Sequence, residues 1–188
     1  RTVIKAIKND LAIYAIHTNL DHAIKGVNAE IAKRLGIENP KILLPNEDVL
    51  TKLVVFTPAD YVRNVEKAMF AAGAGSIGNY TECNFTAEGI GAFKPMEGAD
   101  PFEGKVGSRT KTEETKIEVL VSNHILPRVV NAMIEAHPYE EVAYDLIPLK
   151  NVNKEEGSGM YGDLKDPVDA LTFLAKLKQT FHCGIVRH

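Results

Sequence analysis

Cysteine is scarce: the 188 residues hold two, Cys83 and Cys183, isolated and far apart. That spacing excludes a disulfide framework and any CxxC motif. It points to a reducing compartment, so a cytoplasmic protein is expected, with both thiols packed in its core. Long apolar runs are missing too. No stretch approaches the roughly 20 residues of a membrane span, and Arg1-Thr2-Val3-Ile4-Lys5 lacks the apolar core and small-residue cleavage site of a secretion signal. Nor is there a surplus of positive charge. The formal net charge is −3, and Lys5, Lys8, Lys25, Lys33 and Arg34 are spread out and balanced by acids. Neither nucleic acid nor a membrane is an expected partner. No segment repeats at a fixed period.

What is present is ordinary for a globular protein: 45% hydrophobic and 25% charged residues, in a length that suits one large or two small domains. Asn9 to Ile16 carries an apolar run and predicts a buried strand. Asp21 then stands where it can cap a helix with Ala23, Ile24, Val27, Ile31 and Leu35 on one face, and Gly36 suits its C-terminal end. Asn39-Pro40 breaks this pattern, and a strand plus connection follows to Leu50. Lys52 to Phe56 predicts a strand. Thr57-Pro58-Ala59-Asp60 starts a helix with Tyr61, Val62, Val65, Met69 and Phe70 on one face. A weaker strand covers Tyr80 to Phe93, and a polar loop covers Pro95 to Thr115. A strand over Lys116 to Val121, a helix over Asn123 to Ala136 and a strand over Val142 to Leu149 complete a β-α-β-β-α-β order, the split βαβ arrangement. Its expected core is Val54, Val65, Met69, Val119, Val121, Val129, Met133 and Leu146. Residues 150–163 read as a linker, followed by a helix around Leu171 to Leu177 and a short strand at Gly184 to Val186.

Two stretches carry groups with metal or acid–base chemistry. In His17-Thr18-Asn19-Leu20-Asp21, an imidazole and a carboxylate sit at a strand end, where ligand sites of open α/β sheets form. Spacing alone favours Asp21 as a helix cap and His17 as a half-buried histidine over a metal site. In His137-Pro138-Tyr139-Glu140-Glu141-Val142-Ala143-Tyr144-Asp145, a cation site competes with a structural turn, in which Tyr139 packs and the acids are solvated or bonded to turn amides. Gly157-Ser158-Gly159-Met160-Tyr161-Gly162 fits G-x-G-x-x-G literally. It lacks the preceding strand, the helix opening and the following acid of a dinucleotide loop. His124 has no nucleophile and acid arranged with it, and His182-Cys183 is too small a set for zinc.

The His17–Asp21 and His137–Asp145 stretches, with Gly78-Asn79-Tyr80-Thr81-Glu82-Cys83-Asn84-Phe85 and Gly89-Ile90-Gly91-Ala92-Phe93-Lys94-Pro95 between them, resemble the NIF-three-like metalloproteins, whose members carry the name GTP cyclohydrolase 1 type 2 homologues. The resemblance implies an α/β (α+β) chain, a NIF-three-like α/β domain interrupted by a ferredoxin-like βαββαβ insert of CutA/PII type. Residues 1–50 would end the first half, 51–150 form the insert, and 151–188 begin the second half. It implies that Asp21 is a ligand of a two-metal centre and His17 a ligand or a close supporting partner. Two divalent ions, zinc or manganese or iron, would be held per intact protein. The family's upstream His-His pair and downstream His-x-x-x-Glu do not occur here, and His188 has no glutamate after it, so the chain resembles the central portion. The implied activity is that of a metal-dependent hydrolase acting on a small molecule. The alternative is a non-catalytic metal- or ligand-binding module of regulatory type. The implied assembly is a homo-oligomer, a hexamer built on trimers.

Overall fold

The elements run α1 (Thr2–Lys8), α2 (Asn19–His22), α3 (Val27–Leu35), β1 (Ile37–Asn46), β2 (Leu50–Pro58), α4 (Val62–Ala71), β3 (Asn84–Phe93), β4 (Thr110–Ser122), α5 (Leu126–Ala136), β5 (Tyr144–Leu149), β6 (Asn153–Leu164) and α6 (Ala170–Phe181). This computed structural model describes residues 1–187; His188 lies outside the described residues. Two units separate. One is Glu47–Val152, and the other is Arg1–Asn46 together with the chain from Asn153 onward.

The Glu47–Val152 unit is organised by β2, whose β-branched and aromatic residues suit a central strand buried along most of its length. It lies inside a four-stranded sheet of order β3–β4–β2–β5, with every neighbouring pair antiparallel. Side chains alternate across a strand. Leu53 and Val55 of β2 therefore share a face with Ile117, Val119 and Val121 of β4, and all are buried. Val65 and Met69 of α4 and Val129 and Met133 of α5 fill the same cluster, so both helices cover one face of the sheet. That is the split βαβ topology expected from the order of elements. Full burial of each such side chain stabilises by about 1.5–3 kcal/mol.

Two residues of the expected core depart from it. Leu146 is 43% exposed. It pairs with Leu53 in register, but β5 is an edge strand with a neighbour on one side only. Val54 is buried, yet it lies between Leu53 and Val55 and so belongs to the opposite, helix-free face. There it stands across from Glu118, which pairs with Lys116 at 2.7 Å and Lys52 at 2.9 Å. Those two hydrogen bonds, Lys116 first, hold the Glu118 carboxyl below its ordinary range. Asn123 does not cap the helix after it. Its amide instead accepts from the Thr51 hydroxyl at 2.7 Å and donates to the Asp48 carbonyl at 3.0 Å.

The other unit is built on an antiparallel pair, β1 with β6. Here the sequence reading needs four corrections. Leu11 to Ile16 forms no strand and is exposed, with Tyr14 at 83%. An apolar alternation becomes a strand only where a second strand pairs with it, and the two strands of this sheet pair with each other. The long helix predicted after Asp21 is two helices, α2 and α3, separated at Gly26, where a Cβ would stand 1.8 Å from the Leu20 carbonyl oxygen. Residues 153–164 are strand rather than linker. At Gly157, β1 crosses so closely that a Cβ would meet the Leu44 carbonyl oxygen at 2.2 Å, which is why this strand is glycine-rich. Gly184 to Val186 has no regular structure. Gly36 does end α3 in the left-handed conformation, with φ at 72°.

Truncations should separate the helix-facing core from the edge. Met69→Ala or Met133→Ala is expected to cost about 2–5 kcal/mol in denaturant unfolding, and Leu146→Ala less than about 1 kcal/mol. Equal costs at Met69 and Leu146 would contradict this account of the core.

Candidate functional site

His17 and Asp21 lie on the short link between an exposed segment and β1–β6. His17 is exposed and holds a left-handed backbone, φ 50°, which turns the chain into α2. Asp21 is half-buried within α2. It is not a helix cap: Thr18 stands at the start of α2 and Gly26 at the start of α3. The backbone of Asp21 is fixed at both ends, its N–H donating to Thr18 O at 3.0 Å and its carbonyl accepting from the Asn28 side chain at 2.6 Å. Among the described residues its carboxylate accepts no hydrogen bond.

His22, which pattern reading passed over, anchors this turn. Its Nε2 lies 3.1 Å from the Ser158 hydroxyl on β6. The backbone adds a bridge between Ala23 and Glu156, and the Ile24 N–H donates to Glu155 O at 3.1 Å. The only sequence signal is that His22 follows Asp21, because Ser158 is 136 positions away.

A metal centre needs at least three converging donors for each ion, or for two ions a larger set with shared carboxylates. Among the described residues no group of three or more His, Cys, Asp or Glu side chains gathers in that way. One imidazole and one carboxylate make part of a ligand set. By themselves the described residues do not fit a dinuclear centre.

His137 is committed elsewhere. It is buried, its Nε2 is 3.1 Å from the Phe56 carbonyl, and its Nδ1 accepts from the Tyr139 N–H at 3.1 Å. A carbonyl needs a donor and an N–H needs an acceptor, so the ring is the neutral Nε2–H tautomer with no lone pair left for a metal. Burial pushes its pKa below the ordinary value of 6.5, against the raising effect of the Phe56 bond. Tyr139 donates its hydroxyl to Glu114 Oε1 at 3.0 Å. Burial first, and the Glu114 bond second, raise its pKa well above the usual phenol range. The structural reading of this turn therefore holds for His137 and Tyr139. The cysteines differ from expectation, since both are half-buried rather than core residues. The Gly157–Gly162 run is strand and not a phosphate loop. Among the described residues no helix is long and apolar enough to cross a membrane.

Comparison with known proteins adds to this geometry. A family model described as Duf34/NIF3 (NGG1p interacting factor 3) matches residues 1–188. The chain is 42% identical over 188 residues to a GTP cyclohydrolase 1 type 2 homolog of Bacillus subtilis, covering 100% of this chain and 50% of that protein. A protein of the same name from Halalkalibacterium halodurans is 46% identical over 188 residues, with the same two coverages. The chain thus spans about half the length of the curated relatives it matches. Among solved structures, a Bacillus cereus protein related to NIF3 superposes with a TM-score of 0.81 at 41% identity, covering 98% of this chain and 49% of that one.

The depressed pKa of His137 sets a pH dependence. The unfolded chain takes up its proton more readily than the folded one, so stability falls as the pH drops below the ordinary histidine value of 6.5. The His137 contribution is at most about 1.4 kcal/mol per pH unit. Denaturation midpoints between about pH 7 and pH 5 should show this slope flattened in His137→Asn. An unchanged slope would mean that another group carries the dependence.

Proposed function

Since this chain belongs to the Duf34/NIF3 family, we propose that it is part of a divalent-metal-dependent hydrolase to which it contributes Asp21, with His17 as a further ligand or supporting partner. The observation that carries this reading is the state of Asp21. Its backbone is held at both ends, the adjacent His22 ties it to β6, and among the described residues its carboxylate has no capping or pairing role. A carboxylate placed so firmly with nothing to satisfy suits a ligand completed by other donors. We assign those donors to sequence that the relatives have and this chain does not span. Two ions per intact protein, zinc or manganese or iron, match the mixed imidazole and carboxylate chemistry. The names of the relatives make GTP the first small molecule to try, and the two unpaired cysteines suit the reducing cytoplasm.

The same reading includes self-assembly into a hexamer built on trimers. The helix-free face of the Glu47–Val152 sheet supports it. Phe85, in register with Glu118, and Ile147, in register with Lys52, stand exposed there at 64% and 45%. Apolar side chains on a sheet face with open edges favour cover by neighbouring copies. Light scattering of the full-length protein should then give a multiple of three.

A second reading is a regulatory module that binds metal or ligand without turnover. It is favoured by the fact that the best-packed part of the chain, the βαββαβ unit, is not the part that carries Asp21. Calorimetric titration of the full-length protein with zinc or manganese tests the metal role. Asp21→Ala is expected to lose one ion, or to bind about 10- to 100-fold more weakly. Equal affinity and stoichiometry in both would remove Asp21 from the site. GTP hydrolysis that requires zinc and is lost in Asp21→Ala would select the enzyme; metal binding with no product would select the module.

A further inference from the structure

The Glu47–Val152 unit holds a cavity of about 310 Å³ where the end of β3 and the loop after it meet the turn between α5 and β5. Its walls are aromatic. Tyr139 lies 5.9 Å from Phe102 at 48° and 6.3 Å from Phe93 at 56°, so the rings are tilted and enclose a concave corner rather than stacking. Tyr61 braces the back of Phe102 edge-on at 5.6 Å. Pro95 and Pro101 complete the apolar lining.

The corner is held in place from several sides. The Tyr139 hydroxyl is fixed by Glu114, and the Tyr139 backbone N–H by His137 Nδ1. The loop is pinned by the Asp100 N–H, which donates to both carboxylate oxygens of Glu140 at 3.1 and 3.2 Å, and by Gly107 N–H to Pro95 O at 2.8 Å. Glu140 is thereby fixed in place and keeps its charge, and Glu103 and Glu141 are the other acidic groups of the lining, against Lys94. These acids do not gather into a group able to hold a metal ion. A diffuse cation suits them better. Ring faces and carboxylates both attract positive charge, and the apolar walls call for a hydrocarbon body.

We propose that this cavity binds a small organic ammonium ion, its apolar body against Phe93, Phe102 and Tyr139 and its charge shared between the ring faces and Glu103 with Glu141. This explains what remains of the His137–Asp145 stretch once His137 is accounted for. The turn places Tyr139 as a wall and Glu141 at the rim.

Three probes of like shape and different charge test it: 2-phenylethylammonium, 2-phenylethanol and phenylacetate, titrated by ligand-observed NMR into the full-length protein near neutral pH. The ammonium should bind at least about tenfold more tightly than the alcohol, and phenylacetate should not bind. Phe102→Ala should weaken the ammonium about tenfold. The Glu103→Gln/Glu141→Gln pair should weaken the ammonium and leave the alcohol unchanged, and Lys94→Met should hold or tighten it. Circular dichroism melts confirm that each variant is folded. Equal binding of all three probes, preference for phenylacetate, ammonium binding unchanged in folded Phe102→Ala, or binding weakened by Lys94→Met would each overturn the proposal. None of these outcomes depends on metal binding at Asp21.

Discussion

Most of the order in this chain follows from one apolar contact layer. Leu53 and Val55 on β2, with Ile117, Val119 and Val121 on β4, bury against Val65 and Met69 of α4 and Val129 and Met133 of α5. The β2–β4 pairing runs unbroken from Leu50 opposite Ser122 to Pro58 opposite Glu114, which keeps every core side chain on the helix-covered face. A slip of one residue would invert one strand against the other and turn either Lys52 of β2 or Lys116 and Glu118 of β4 into that layer, at the cost of burying charge. The ionic group on the helix-free face thus specifies register as well as filling space. Once the layer is set, β3 and β5 can only add at the edges. The Phe93 end of β3 and the turn before β5 then supply the aromatic cavity.

The unit that carries Asp21 rests on a different principle. Its sheet is the β1–β6 pair, its buried apolar residues are few (Ala6, Ala32, Leu35 and Ile42), and much of its apolar surface, from Val3 to Ile16, is exposed. Backbone closeness does much of the work. Gly157 lets β6 lie against the Leu44 carbonyl, and Gly26 lets the chain turn beside Leu20. The Asp21 turn is secured by single polar contacts, from Asn28 to the Asp21 carbonyl and from His22 to Ser158. Such contacts fix a position without filling a core, as suits a residue that offers its side chain to something else.

Two acidic or imidazole-bearing stretches therefore have different fates. The His137 ring is consumed by the fold, with both nitrogens bonded to backbone and its charge suppressed by burial. The Asp21 carboxylate is left over. Residue type does not separate these cases; the hydrogen-bond balance does.

By itself the sequence determined the elements whose signal is local. The stripes of α4 and α5, the strands around Leu53 and Val119, and the glycine that ends α3 all follow from periods of 3.6 and 2 and from the conformational freedom of Gly36. Their order was enough for the βαββαβ topology, and the His17–Asp21, Gly78–Phe85, Gly89–Pro95 and His137–Asp145 stretches together were enough for the family resemblance. Only the tertiary structure decided the rest. The apolar run within Asn9–Ile16 has a strand's pattern and forms none, because strand formation needs a partner that composition cannot name. The polar, glycine-containing stretch 150–163 has the composition of a linker, yet Asn153–Leu164 is a strand, because β1, more than a hundred positions earlier, offers it an edge. Likewise Ser158 for His22, the Phe56 carbonyl for His137 and Phe102 for Tyr139 are partners brought together by chain folding. Periodicity records which face of an element is apolar; it carries no record of what that face, or a buried ring nitrogen, will meet.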